Sequence, residues 1–152
     1  MAIWEAGEGI VEFPDGRRFR GRGLHRPLGA GIRPEFGVYL VGRDPGVLDW
    51  PSHWLKWRDF GLPQSTDDAL IVLREAHARA ESERVEIACD GGNGRTGTAL
   101  SVLAMMSGID PENAVNWVRA HYRATAVETP RQRRWVSEVS ARLRVEGERP
   151  DA

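Results

Sequence analysis

Two short, largely apolar runs stand out along the chain. Phe36-Gly37-Val38-Tyr39-Leu40-Val41, ended by Gly42, and Val85-Glu86-Ile87-Ala88 are rich in β-branched and aromatic residues and read as buried strands. Between them, Leu70, Leu73, Ala76 and Ala80 recur at helical spacing behind Ser65 and Thr66, either of which can cap a helix. Thr98 to Ser107 is apolar nearly all round (Ala99, Leu100, Val102, Leu103, Met105, Met106), the pattern of a buried helix. Asp110-Pro111 opens a further helix, with Ala114, Val115, Trp117 and Val118 inward and Arg119 and Arg123 facing water. Thr129-Pro130 opens the last, which runs to about Val145 before a frayed tail at 147–152. Nearer the start, Phe13-Pro14-Asp15-Gly16-Arg17 reads as a turn between two short strands. The order strand, helix, strand, loop and three helices predicts an α/β fold. A small, twisted, mostly parallel sheet is expected, flanked by helices on both sides.

Composition narrows this further. At 152 residues the chain is expected to be a single domain, 1–152. One cysteine rules out an internal disulfide and suits a reducing compartment. The N-terminus has no basic start and no apolar run, and no stretch approaches a membrane span, so a cytoplasmic protein is expected. Net charge is −1, which draws the chain toward neither nucleic acid nor anionic membrane. Twenty of the 21 basic residues are arginine, a bias expected of a GC-rich bacterial genome. Arginine clusters therefore carry little weight: Arg17, Arg18, Arg20 and Arg22 read as a solvated face, while Arg131, Arg133 and Arg134 open the last helix. His25, His53, His77 and His121 are scattered, so no metal site is expected, and His77 and His121 read as helix-surface residues.

The chemistry concentrates between Cys89 and Arg95. The string Cys89-Asp90-Gly91-Gly92-Asn93-Gly94-Arg95-Thr96-Gly97 joins a strand to a helix. Backbone N–H groups converge at such a helix start and bind anions. The same electropositive spot favours thiolate over thiol. An arginine there can fork two N–H donors onto a phosphate. A bland reading also exists, in which Cys89 is a buried thiol and the glycines serve a tight turn.

That string resembles the signature of the protein-tyrosine and dual-specificity phosphatases, and the resemblance extends over about residues 36–140. Residues 1–35 hold the N-terminal strands and no family motif. Upstream, Trp57-Arg58-Asp59-Phe60-Gly61-Leu62-Pro63 resembles the family's mobile acid loop, with Arg58 where proline is usual; the nearby Trp50-Pro51 pair is followed by Ser52, which is no acid. Downstream, Glu128-Thr129-Pro130-Arg131-Gln132 resembles its glutamine loop. Ala88 stands where the family usually has histidine.

The resemblance implies that Cys89 forms a phosphocysteine and that Arg95 with the loop residues Asp90, Gly91, Gly92, Asn93 and Gly94 binds the phosphate. Asp59 would be acid and then base, Thr96 would stabilise the thiolate, and Gln132 would place the attacking water. Thr96 could instead cap its helix, and Gln132 could be a plain surface residue. No cofactor or metal is implied. The expected substrate is a phosphorylated protein or peptide, with phosphotyrosine first and phosphoserine or phosphothreonine open. Trp57 and Phe60 are expected at the pocket rim. Nucleic acid and membrane are not expected partners, and the protein is expected to be a monomer. Two alternatives stay open: a non-catalytic phosphopeptide-binding module, and a phosphatase acting on RNA ends or inositol phosphates.

Overall fold

The computed structural model describes residues 3–26 and 31–148. Strands β1 (Ile10–Glu12) and β2 (Arg18–Gly23) form a hairpin; β3 (Phe36–Val41), β4 (Ser52–Lys56), α1 (Thr66–Arg79), β5 (Val85–Cys89), α2 (Gly94–Met106), α3 (Ala114–His121) and α4 (Pro130–Glu148) follow. The sheet order is β1-β2-β5-β3-β4. Only β1 and β2 pair antiparallel; β2 with β5, β5 with β3 and β3 with β4 are parallel. This is the single small α/β unit with a mostly parallel sheet that the apolar pattern predicts.

Strand parity decides what each face buries. Phe19, Phe36, Val38, Leu40, Val85 and Ile87 point to one face, where they join Leu70, Leu73, Leu100, Leu103, Val118 and Val136 in one apolar core. Among the described residues the four helices α1–α4 therefore all cover the same face, not both. The opposite face is closed by polar chemistry. Glu86 is fully buried there and accepts hydrogen bonds from Arg20, from Arg22 and from the Tyr39 hydroxyl at 2.8 Å. Trp50 Nε1 donates to the Tyr39 oxygen at 2.7 Å. The arginine-rich hairpin is thus not a solvated face: Arg20 and Arg22 neutralise a buried carboxylate. Burial alone would raise the Glu86 pKa, but Arg22 and Arg20 together hold it below its ordinary value.

The helices start where local chemistry dictates. Ser65 caps α1, its Oγ accepting from Asp68 N at 3.1 Å, and Asp67 and Asp68 sit in the first turn, where the helix dipole favours acids. Inside the buried α2, Thr98 and Ser101 satisfy their hydroxyls on the carbonyls of Gly94 and Gly97. Helix α4 runs on through Glu148, past the expected stop near Val145; the rest of the expected frayed tail, 149–152, lies outside the described residues. Strand β4 has no apolar signature, because it is an edge strand with only Leu55 buried. His77 is also not a plain surface residue: its Nε2 lies 3.2 Å from Asp15 Oδ2 and 2.9 Å from Ser107 Oγ, tying α1 to the hairpin turn and to the end of α2. Among the described residues no helix is long and apolar enough to cross a membrane.

Candidate active site

The parallel strands put their carboxyl ends at one edge, where an α/β sheet presents its ligand crevice. Cys89 ends the central strand β5 there, and α2 starts five residues on. What shapes the loop between them is where its carbonyls go. Leu24 N donates to Cys89 O at 2.8 Å, and His25 N to Asp90 O at 3.0 Å. Arg123 Nη1 donates to Gly91 O at 3.0 Å, and the Tyr122 hydroxyl to Gly92 O at 2.5 Å. A peptide plane is rigid, so a carbonyl held outward turns the N–H on its other side inward. The loop amides therefore face a small cavity of about 190 Å³, lined by Cys89, Asp90, Gly91, Asn93, Gly94 and Arg95 together with His25, Asp59 and Glu128. Glycine is required at Gly92, whose φ is +70° and whose missing side chain would strike the backbone of Gly23.

Inside this cavity the Cys89 sulfur accepts from Gly92 N at 3.2 Å and from Thr96 Oγ1 at 3.0 Å. Thr96 thus spends its hydroxyl on sulfur, not on a helix cap. Arg95 is 2% exposed. Its Nη1 donates to Trp57 O at 3.0 Å, and its Nη2 lies 3.4 Å from Asp90 Oδ2 and 3.6 Å from Asp59 Oδ1. Its Nε is buried without a hydrogen-bond partner among the described residues. A buried guanidinium N–H is expensive to leave unpaired, and an anion oxygen would satisfy it.

The acid loop docks onto this arginine. Trp57 is fully buried, edge-on to Trp135 at 5.5 Å, and its Nε1 donates to Gly61 O at 2.7 Å. It anchors the loop from beneath and does not form the pocket rim. Asp59 is 57% exposed and projects toward Arg95. Phe60 takes a left-handed φ of +61°, rare for an aromatic residue, and its N–H bonds Asp59 Oδ1 at 3.0 Å. Phe60 too is absent from the cavity lining.

The protein-tyrosine phosphatase family model matches residues 42–141. The chain belongs to this family. Two uncharacterized proteins of Methanocaldococcus jannaschii, MJ0215 and MJECL20, are 38% and 36% identical to it over 88 residues, 58% of this chain. The chain spans 54% and 58% of their lengths, just over half. Tyrosine-protein phosphatase non-receptor type 4 of Homo sapiens is 31% identical over 102 residues, covering 62% of this chain and 11% of that protein. These relatives are archaeal and human, so the arginine bias does not establish a bacterial source. Among solved structures, Tk-PTP in the active form superposes with a TM-score of 0.71 at 31% identity, covering 87% of this chain and 97% of that one. Kinase associated phosphatase superposes at 0.65 over 91% of this chain and 85% of that one; at 21% identity that likeness is one of fold.

Within this protein-tyrosine phosphatase scaffold, Cys89, Arg95, Thr96, Asp59 and the loop 90–94 come together, and Gln132 does not join them. Gln132 is fully buried; its Oε1 accepts from Glu128 N at 2.9 Å and Thr129 N at 3.2 Å, and its Nε2 donates to Gly61 O at 3.1 Å. It joins the start of α4 to the acid loop. The residue of that segment that lines the cavity is Glu128, whose carboxylate occupies the space a side chain on Gly94 would need. Glu128 is aimed there by Val127, a buried β-branched residue at φ +63°. Arg119 clamps that turn, donating to Ala126 O at 2.7 Å and Val127 O at 2.6 Å. Arg119 and Arg123 thus hold backbone carbonyls instead of facing water. None of Arg131, Arg133 and Arg134 lines the cavity, and Arg133 bonds Asn116. Burial pushes the Tyr122 hydroxyl up to about 12, with the nearby Cys89 adding to the rise and Arg123 opposing it, so it remains a proton donor to the loop through the physiological range.

Proposed function

We propose that the protein hydrolyses phosphate monoesters, with phosphotyrosine in proteins as the preferred substrate, through a phosphocysteine intermediate. The observation that carries this is a cavity lined together by Cys89, whose sulfur accepts from Gly92 N and Thr96 Oγ1, by the loop residues Asp90, Gly91, Asn93 and Gly94, and by a buried arginine whose Nε has no partner among the described residues. Three phosphoryl oxygens would take the loop N–H groups and Arg95, which neutralise the charge as it shifts. The Cys89 thiolate attacks phosphorus, the ester P–O bond breaks, and Asp59 gives its proton to the departing oxygen. In the second step a water oxygen attacks phosphorus and the P–S bond breaks. The leaving thiolate is received by the Thr96 hydroxyl and the Gly92 N–H. The water's proton passes to Asp59, now a carboxylate, while Glu128, which lines the same cavity beside Gly94, orients the water. In this reading Gln132 acts through Gly61, by holding the acid loop, since its amide is occupied at both ends.

An acid quench during turnover of a radiolabelled aryl phosphate should leave label on the wild-type protein and none on Cys89→Ser. The serine variant should still bind vanadate, because a neutral hydroxyl leaves the cradle intact but is a poor nucleophile. Turnover by Cys89→Ser above about a tenth of the wild-type rate would remove Cys89 from this role.

A further inference from the structure

Strand β4 closes one side of the sheet, where it pairs with β3 alone among the described residues. Gly37 N donates to Pro51 O at 3.0 Å and Trp57 N to Val41 O at 3.0 Å, so positions 51 and 57 spend their main chain on β3. Main-chain groups alternate sides along a strand, so His53 and Leu55 do the same, and Ser52, Trp54 and Lys56 turn theirs outward. Lys56 O accordingly accepts from Gln64 N at 2.9 Å, outside the sheet. The main-chain N–H and C=O of Ser52 and Trp54 have no partner among the described residues, and such an open edge is a template for another extended chain. Beside it a groove of about 690 Å³ runs between β4 and α1. Buried Leu55 and Val72 line it together with Ile71 and Trp54, which are 66% and 40% exposed. The groove shares Lys56 and Gln64 with a cavity of about 320 Å³. That cavity in turn shares Arg58 with a cleft of about 600 Å³ that contains Asp59 and Arg95. A line of open space therefore leads from the candidate active site, past the acid loop, to the free edge of β4.

We infer that β4 docks an extended segment of the phosphorylated protein itself, carboxyl-terminal to the phosphorylated residue, which adds to the sheet as a strand antiparallel to β4. This inference rests on the activity proposed above. The line of cavities selects the occupant: the chain that delivers the phosphate to Cys89 is the one placed to reach the edge. The unpaired groups select its conformation, since main-chain donors and acceptors on alternate residues are matched by a strand and not by a helix. Topology selects its direction. The parallel strands put their carboxyl ends at the site, so Lys56 lies on the site's side of β4 and Ser52 away from it. Antiparallel pairing is the more stable kind, and an antiparallel strand enters beside Lys56 and leaves beside Ser52, running away from the phosphate. Side chains opposite His53 and Leu55 fall on the α1 side of the sheet and enter the groove over Ile71 and Val72, where β-branched apolar residues fit. Those opposite Ser52 and Trp54 lie on the other face, beside the Trp54 ring.

The test measures kcat/KM on peptides in which phosphotyrosine is followed by a Gly-Ser linker and then by Val-Thr-Val-Thr-Val, with linkers of about 5, 10 and 15 residues to cover the span. The control peptide replaces both Thr by Pro, which cannot complete a ladder, and an aryl phosphate is the companion substrate. Wild type should favour the strand peptide over its proline control by about tenfold at the best linker length, through KM, the effect of one or two net main-chain hydrogen bonds. Placing the strand ahead of the phosphotyrosine should remove most of that gain. With a non-hydrolysable phosphonate in the strand peptide, amide exchange should slow at Ser52 and Trp54 and stay unchanged at His53 and Leu55. Ser52→Pro removes an outward N–H and no bond to β3; Ile71→Glu puts a charge in the groove. Each should abolish the preference and leave aryl phosphate turnover unchanged. The inference is overturned if all the peptides are hydrolysed yet the ratio stays within about twofold at every linker length. It is equally overturned if both variants keep the wild-type ratio, or if the leading strand performs as well as the trailing one. A wild-type dimer that Ser52→Pro dissolves, seen by sedimentation, would place a second copy on the edge and overturn it too. Absence of turnover on the peptides and the aryl phosphate alike would instead overturn the underlying activity.

Discussion

Tyr122→Phe removes one oxygen, the donor to Gly92 O at 2.5 Å, and leaves the ring in place. The peptide plane that carries Gly92 C=O also carries Asn93 N–H, so the hydroxyl acts on an inward-facing donor through a rigid plane. Two magnitudes follow. Leaving a part-buried carbonyl unpaired costs about 1–3 kcal/mol of stability. If the plane then tips, the site also loses an amide bond to a charged phosphate oxygen, about 1.5–3 kcal/mol, which is about a ten- to hundredfold loss of anion affinity. The Asn93 side chain remains held, through Thr125 O at 3.0 Å and Thr125 Oγ1 at 2.9 Å, so the lower end of that range is expected. The assay is the inhibition constant of vanadate measured beside the unfolding midpoint in urea. Gly21→Ala should reproduce the effect, since a methyl group there collides with the Tyr122 ring. With a hydroxyl pKa of about 12 in the fold against 10 unfolded, the bond's stabilisation is complete below pH 10 and is lost as pH rises through about 12. A vanadate constant within about twofold of wild type, with stability lowered, would refute the claim that Tyr122 orients the loop.

Asp59→Asn should lower kcat by about 10²–10⁴ on esters with poor leaving groups and much less on activated aryl phosphates; an equal loss on both would place the acid elsewhere. Glu86→Gln should destabilise the fold by about 3–5 kcal/mol in urea, because Arg20 and Arg22 would then face each other without an anion. The Glu86 pKa is held below its ordinary 4.5, so the stability it contributes is present above that value and lost as pH falls through the folded pKa. The variant should therefore show a shallower acid-denaturation curve. His77, whose pKa is lowered by burial and by Arg17, resists protonation in the fold. Its contribution is present above about 6.5 and lost as pH drops below it, and His77→Gln should flatten the stability difference between pH 7.5 and 5.5.

The parts of the fold legible in the sequence are those where one residue's neighbours in sequence decide its fate. Strands β3 and β5 announce themselves by apolar runs, α1 by spacing and a cap, α2 by apolarity all round, and the Cys89 loop by glycines whose backbone roles are local. Strand β4 was not legible, since its pairing with β3 is decided by main-chain bonds while its side chains mostly face solvent. Nor was the pairing of Glu86 with Arg20 and Arg22, which lie 66 and 64 residues away. The site divides the same way. Cys89, Arg95 and Asp59 stand in recognisable strings, but Tyr122, Arg123 and Glu128 reach the loop only through tertiary packing, with Tyr122 meeting Gly92 across 30 residues. A local signal for Glu128 did exist, in its place directly ahead of the Thr129-Pro130 helix start, yet its direction depends on the left-handed turn at Val127.

The outward bonding of the loop's carbonyls also bears on the order in which the molecule assembles. Two of the four bonds come from Leu24 and His25, in the segment just after β2, and two from Tyr122 and Arg123, just after α3. Both of these distant segments must dock before the loop has a shape, and closing such long intervals is an entropic barrier that local helix formation does not meet. Refolding should therefore restore helical circular dichroism ahead of anion binding. It also follows that residues 42–141, the stretch the family pattern recognises, are not a self-sufficient unit: cut from the hairpin that precedes them, they would retain Cys89 and Arg95 but leave Cys89 O and Asp90 O without their donors.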